Sequence, residues 1–590
     1  MKVLRSLWLP GLLVMMFTTI FSGCSDSNPA DSNERIERPE ITEDIVSPTT
    51  LGPGAYSVHN NIAVHAPLII EPGTILSFSD RSGIRVEGDG YISAEGTADE
   101  PIVFTASSGN PEGWSGVGIF NNSDNNVLRY VIMEYAGNSW SSVNGSNRTN
   151  LYLHENARAT VENSVFRFSS GYGVVVRSRS ALFTAFSDNT FEDNATAAMR
   201  ITSHQIGMIQ DGNRFGIDAA AGRRYIHVDD DGELTRTATW PAVDVPYRFF
   251  GNHFINEPSA VITIEAGAVL EFDNRAGLRV NSGGLRALGT EDDEIVFTSA
   301  SGNPGDWRGI GIASNNDQNT LLYTVVEKAG NSLRAINGSN RCNLYLHDYS
   351  TVTIENSTFS NSTGYGIYAN ASSSQILSFE SNTFDNNETS AMRITSHQLG
   401  MIGENNVFSI HDLTAPRHVL VEPDGDLTQS ATWRAIDVPY HFSDNHFIDE
   451  PGATITIQPG AILKFSERSG LRVNSGALIA VGTETDRIVF TSVSGNPNDW
   501  RGIGINSRND DNELRYVTIE NAGISLRAIN NSQSSQLRVD TNGQLKLTDV
   551  ILRNGSSEYL SSDGIVTDRH GNPYTDDSEV ISVGNNIFGD

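Results

Sequence analysis

The sequence predicts an all-β solenoid, and three observations predict it. The segment FTASSGNPEGW (104–114) returns as FTSASGNPGDW (297–307) and as FTSVSGNPNDW (490–500), displaced by 193 residues each time. Inside each copy the phenylalanines keep a shorter period, with Phe166, Phe191 and Phe215 spaced 25 and 24 apart and Phe359, Phe384 and Phe408 repeating that spacing. Between them run short alternating stretches such as ATVENSVF, TVTIENSTF and GLRVNSG, cut by Gly, Asn, Asp and Ser. Alternation means strands and the cuts mean turns. A coil of ~24 residues with one aromatic cannot bury its apolar face alone, so coils stack and same-phase phenylalanines form a ladder.

The anchors Gly73, Gly267 and Gly460, with Trp114, Trp307 and Trp500, delimit three copies: 51–243, 244–436 and a truncated 437–590. Many phenylalanines sit in Asn-x-Phe triplets, among them Asn189 to Phe191, Asn382 to Phe384 and Asn445 to Phe447. Asparagine suits turns because its side chain bonds nearby backbone and tolerates left-handed conformations. Stacked asparagines are then expected to bond one another. These triplets, and the cadence of EPGTILSF, GIRVEGDGYISAEGT and PIVFT before Trp114, resemble the right-handed parallel β-helix of the pectate-lyase-like superfamily, of the bacterial surface lipoprotein type. The resemblance covers nearly all of residues 51–590. That superfamily holds lyases, glycosidases, epimerases, tailspikes and adhesins, so fold does not choose a function.

Residues 1–23 carry Lys2 and Arg5, the apolar run LWLPGLLVMMFTTIF, and Ser22 and Gly23 before Cys24. They read as an export signal. The junction FSGC resembles a lipobox, which implies acylation of Cys24 and a membrane attachment through lipid. Ser25 stands where an inner-membrane retention signal places Asp, so the implied address is the outer membrane, facing the cell surface or the periplasm. Residues 24–50 are polar, charged and proline-bearing and read as a disordered tether.

Removing residues 1–23 takes two basic groups and no acid, leaving 38 minus 71, or −33. That balance argues against nucleic acid as a partner. Only four of 40 basic residues are lysine, which with the acid excess suggests a saline solvent. With Cys24 acylated, Cys342 has no intramolecular disulfide partner. It reads as a small sheltered side chain rather than a nucleophile.

The stretch AMRITSHQIGMI (198–209) is nearly copied as AMRITSHQLGMI (391–402). If Met199 and Ile201 point inward, alternation puts Arg200, Thr202 and His204 outward, and likewise Arg393, Thr395 and His397. A cation, a hydroxyl and an imidazole on one face suit a carboxylated sugar. Arg224 and Arg417, 24 positions further on, are placed to stack one coil away. Arg177 extends the stripe in the first copy, where the second has Asn370. The competing reading is a solvated strand face whose arginines are screened by the many acids. The solvated face is the preferred reading; stacked like charge, which needs an anion beside it, is what supports the binding one.

No cofactor motif is present. Calcium would draw on DDDGE (Asp229, Asp230, Asp231 and Glu233), but the counterpart EPDGD (Glu422, Asp424, Asp426) also carries Asp-Gly and a surface turn is the preferred reading. With 71 acids, a close carboxylate pair arises by chance, so glycosidase chemistry has little specific support. Trp114, Trp307 and Trp500, with Trp240 and Trp433, read as buried loop closures before sugar platforms. His154 and His347 each precede a carboxylate that alternation turns to the opposite face.

Nearly every distinctive residue recurs, which favours a lengthened scaffold or a multivalent face over one catalytic groove. The expectation is an outer-membrane-anchored scaffold for binding or adhesion, with polysaccharide as the partner. A polysaccharide lyase, less so a glycosidase, using the Arg200 to His204 face is the alternative, and a purely structural surface protein the third.

Overall fold

The computed structural model describes residues 38–217, 224–230, 232–369, 371–408, 417–555, 558–568 and 570–573. The export signal, Cys24 and Asp231 lie outside them. The described residues from Glu40 onward form one compact unit. The ordered body starts earlier than residue 51: strands occupy Glu40–Ile41 and Thr49–Leu51, and Ile45 is buried between them.

The chain is a parallel β-helix solenoid. Between the points where sheets end, a coil lays down a strand on each of three faces, and each strand pairs in parallel with its counterpart one coil on. Coil length is not constant. Register partners are close in sequence at Gly54 and Thr74, further apart at Phe166 and Phe191, and furthest at Val117 and Leu151. The longest coils hold an inserted helical turn, Ser141–Asn144, repeated as Arg334–Asn337 and Arg527–Asn530. Each turn crosses a glycine, Gly118, Gly311 or Gly504, where a Cβ would collide with the carbonyl oxygen of Val143, Ile336 or Ile529. The second glycine of GVGI and GIGI is there because backbone lies on top of it.

The core is one aromatic-aliphatic column. Phe166, Phe191 and Phe215 stack at 5.3 and 5.1 Å, and Phe359, Phe384 and Phe408 at 5.5 and 5.2 Å. Trp114, Trp307 and Trp500 are fully buried against Phe78, Phe272 and Phe465 at 4.0, 4.5 and 4.3 Å. Each indole N–H donates to the carbonyl of Glu134, Glu327 or Glu520. Burying such an area while satisfying its one donor fixes the loop against the next coil.

The asparagines act differently from expectation. Asn189 Nδ2 donates to Val161 O and its Oδ1 accepts from Ser164 N, both a coil back, and Asn213 Oδ1 accepts in turn from Asn189 N. Asn382 and Asn406 repeat the pattern. The turns are therefore stitched mainly side chain to backbone, because a buried corner presents main-chain groups that no ladder satisfies.

The sheets do not follow the sequence copies. An eight-stranded sheet carries Phe166, Phe191 and Phe215 and stops at Arg214–Ile217. Phe359 and Phe384 lie instead on a thirteen-stranded sheet that begins at Asn61–Val64 and passes through Ala197–Thr202 and Ile226–Asp229. What is the second face of the first copy is thus the first face of the second. A new second-face sheet starts at Glu233–Leu234 and runs to Ile551–Arg553. The abandoned edge is closed by Asp244, whose carboxylate accepts from Phe215 N at 2.9 and 3.1 Å, and by Asp437 on Phe408 N at the next handover. A carboxylate in place of a strand ends pairing without an orphaned donor.

Candidate functional site

The two near-identical stretches at 198–209 and 391–402 form these handovers. After strand Ala197–Thr202 the chain turns into the 3-10 turn Ile206–Met208, and after Ser390–Thr395 into Ser396–Met401. Gln205 braces the first corner. Its Oε1 accepts from Thr202 N and Oγ1 at 3.0 and 2.5 Å, and its Nε2 donates to Ser178 O and Ala181 O at 2.9 and 3.1 Å. Gln398 does the same for Thr395, reaching back to Ala371 O at 2.8 Å. Thr202 and Thr395 are therefore buried and do not face solvent with the arginines. The signal for this was present: Thr-x-x-Gln is a capping box.

Arg200 and Arg393 do point outward. Arg200 makes a two-pronged bond to Asp229, Nε to Oδ2 at 2.7 Å and Nη2 to Oδ1 at 2.9 Å. His227 Nε2 donates to the same Oδ1 at 2.9 Å, which leaves Nδ1 to accept from the Tyr172 hydroxyl at 3.4 Å. Burial opposes ionisation of Asp229, but the bonds from His227 and Arg200 outweigh it and take the carboxyl down to about 2. Burial pushes the Tyr172 hydroxyl up to about 12. Arg393 has a single bond, Nη2 to Glu422 Oε2 at 2.6 Å, and lies over the Tyr368 ring at 4.5 Å. The anion beside each outward arginine is thus supplied by the chain one coil on.

Arg224 and Arg417 do not stack on Arg200 and Arg393. The coil here is longer than the phenylalanine period, Met199 pairing with Ile226 and Met392 with Val419, so His227 and Leu420 take the register positions. Arg224 and Arg417 precede those strands and are exposed. His204 and His397 each donate from Nε2 to the carbonyl of Glu233 or Asp426 at 3.0 Å. Asp229 is engaged by Arg200 and His227, and Asp230 accepts from Gly232 N, as in a turn. Among the described residues no three His, Cys, Asp or Glu side chains are grouped to hold a metal ion.

Beside the second handover lies an open trough of about 760 Å³, which sequence reasoning did not find. Its walls are the 372–373 loop, His397 with the turn at Gly400 and Met401, the 427–432 segment, and Thr454 and Thr456. Arg434 closes one end, paired with Glu404 at 3.2 Å, and a second depression of about 430 Å³ continues beyond it. Seven of the fourteen lining residues carry hydroxyls, and Thr432 stacks on Thr456 in register. No sequence signal marks the trough, because it exists only where a 3-10 turn replaces a strand and leaves the third face recessed.

Trp240 and Trp433 are buried under these corners, and Cys342 is fully buried, its thiol pushed up by desolvation. His347 Nε2 donates to Ile336 O of the inserted turn, and burial takes the imidazole down to about 4. No family model, curated protein or solved structure matches this chain.

Proposed function

We propose that this protein is an outer-membrane-anchored binding or adhesion scaffold of the pectate-lyase-like superfamily, held through lipidated Cys24, with a polysaccharide as its partner. The observation that carries this reading is the hydroxyl-lined trough at the second handover, built from elements that the first handover repeats. A row of hydroxyls in an open groove suits a ligand made of many hydroxyls, and openness suits a chain that enters and leaves at both ends. The third face joins the two handovers: from Thr239 the ladder passes Thr263, Arg286, Thr320, Thr353 and Ser378, then crosses the 396–401 turn to Thr432. Those seven steps at ~4.8 Å put the two sites about 34 Å apart. Weak contacts at that spacing gain apparent affinity only for a polymer long enough to reach both.

The test uses residues 25–590, purified without the acyl anchor, against a panel of neutral and acidic polysaccharides. Thr432→Trp, which fills the trough at an exposed position, is expected to weaken binding at least tenfold. Unchanged affinity in that variant rules the trough out. A polysaccharide lyase is the second reading, favoured by the Tyr172, His227 and Asp229 chain beside Arg200, which offers a proton relay next to a cation. A rise in ultraviolet absorbance from unsaturated uronate products, lost in Tyr172→Phe, would establish it over the binding reading.

A further inference from the structure

We infer that the two handovers are unequal subsites, and that the first takes an anionic group on the polymer, a carboxylate or a sulfate ester, which the second does not. The inference rests on the binding reading above. It follows from where the copies differ: at the edge between second and third faces the first handover has Arg177, Arg179 and Arg236, where the second has Asn370, Ser372 and Gln429.

The internal carboxylate at the first handover is already saturated. Both oxygens of Asp229 accept from Arg200, and Oδ1 also accepts from His227. Arg177 stands 3.7 Å from Oδ2, beyond hydrogen-bond reach, with its side chain half exposed. Its planar fork of donors is therefore not consumed by Asp229, and two parallel N–H groups match a carboxylate or sulfate. Arg236 is exposed and has no ion-pair partner among the described residues. The 177–180 loop and the 232–236 turn are neighbours, since Arg179 Nη1 lies 3.8 Å from the position of a Cβ on Gly232. At the second handover Arg393 is paired with Glu422 and Arg434 with Glu404. A half-exposed arginine whose carboxylate is taken attracts an outside anion, whereas a matched pair does not.

The probes are polygalacturonate, dextran sulfate and unmodified dextran, titrated into the full lipid-free chain and into an Arg177→Asn/Arg236→Gln variant, which copies the second handover. Thermal unfolding of both proteins confirms that the variant is folded. The expected result is tighter binding of one or both acidic polymers than of dextran, reduced at least tenfold in the variant and by about 0.5 M salt, with dextran binding unchanged; the polymer that responds identifies the carboxylate or the sulfate. Equal binding of dextran and the acidic polymers, or an acid preference that survives in the variant, overturns the inference while leaving the scaffold reading intact. Absence of binding by all three overturns both.

Discussion

The handovers at 198–249 and 391–442 share the corner-forming stretches 198–209 and 391–402 almost residue for residue, yet their surroundings differ in kind. Both have a glutamine brace, a buried tryptophan and an aspartate that ends a sheet. At the first, one carboxylate serves Arg200 and His227 with Arg177 close by; at the second, Glu422 serves Arg393 alone. The shared residues make the corner, and the differing ones decorate it. Repetition therefore marks the scaffold, and departures from repetition mark the places to look for specificity.

Changes to the shared part test the first half of that statement. Trp240→Ala and Trp433→Ala each empty a fully buried site and are expected to cost about 3–5 kcal/mol, equally at both corners, in chemical denaturation. A cost at one corner only would mean that the corners are not equivalent scaffolds.

Acid should act most strongly on the coils that follow the corners. His253 and His446 are buried against Phe249 and Phe442, and burial lowers them from 6.5 to about 4 and about 3. Their folded values lie below the unfolded one, so their contribution is intact above pH 6.5 and is lost as pH falls toward the folded values. Each is expected to cost about 2 kcal/mol by about pH 5. Ile62 occupies the matching place in the first copy, so His253→Ile should remove part of this slope. A melting temperature that stays flat between neutral and mildly acidic pH in the parent would contradict it.

Asp229 gives the sharper contrast. Its carboxyl is lowered from 3.8 to about 2, so its stabilisation is full above pH 3.8 and disappears as pH falls through about 2. The amount is about 2 kcal/mol, and Asp229→Asn should erase it from an acid titration followed by circular dichroism. The smallest effect separates the arginines: Arg200→Ala is expected to cost about 2 kcal/mol and Arg393→Ala about 1 kcal/mol, in proportion to the charged hydrogen bonds each breaks. Equal costs would show that His227 and the second prong add nothing.

Much of the fold is legible in the sequence because strand alternation, glycine and asparagine punctuation and the phenylalanine period are local properties. The same alternation finds Arg200 and Arg393 outward. It misplaces Thr202 and Thr395 when carried past the strand end, where the capping residue turns inward. The phenylalanine period misplaces Arg224 and Arg417, because the coil that carries them is longer and puts Ile226 on Met199 and Val419 on Met392. The trough cannot be read at all, since its walls come from segments spread along the chain from Ser372 to Thr456.

By itself the sequence determined that this chain is a stack of coils with buried aromatics, since alternation makes strands and a ~24-residue period with one aromatic buries each coil's apolar face against the next coil. Only the tertiary structure decided that sheets and copies fall out of step. Equivalent residues of successive copies land on different sheets because one sheet ends and another begins at each handover. Which edge ends depends on where Asp244 and Asp437 meet the N–H groups of Phe215 and Phe408. Those meetings join residues a coil apart and leave no local pattern.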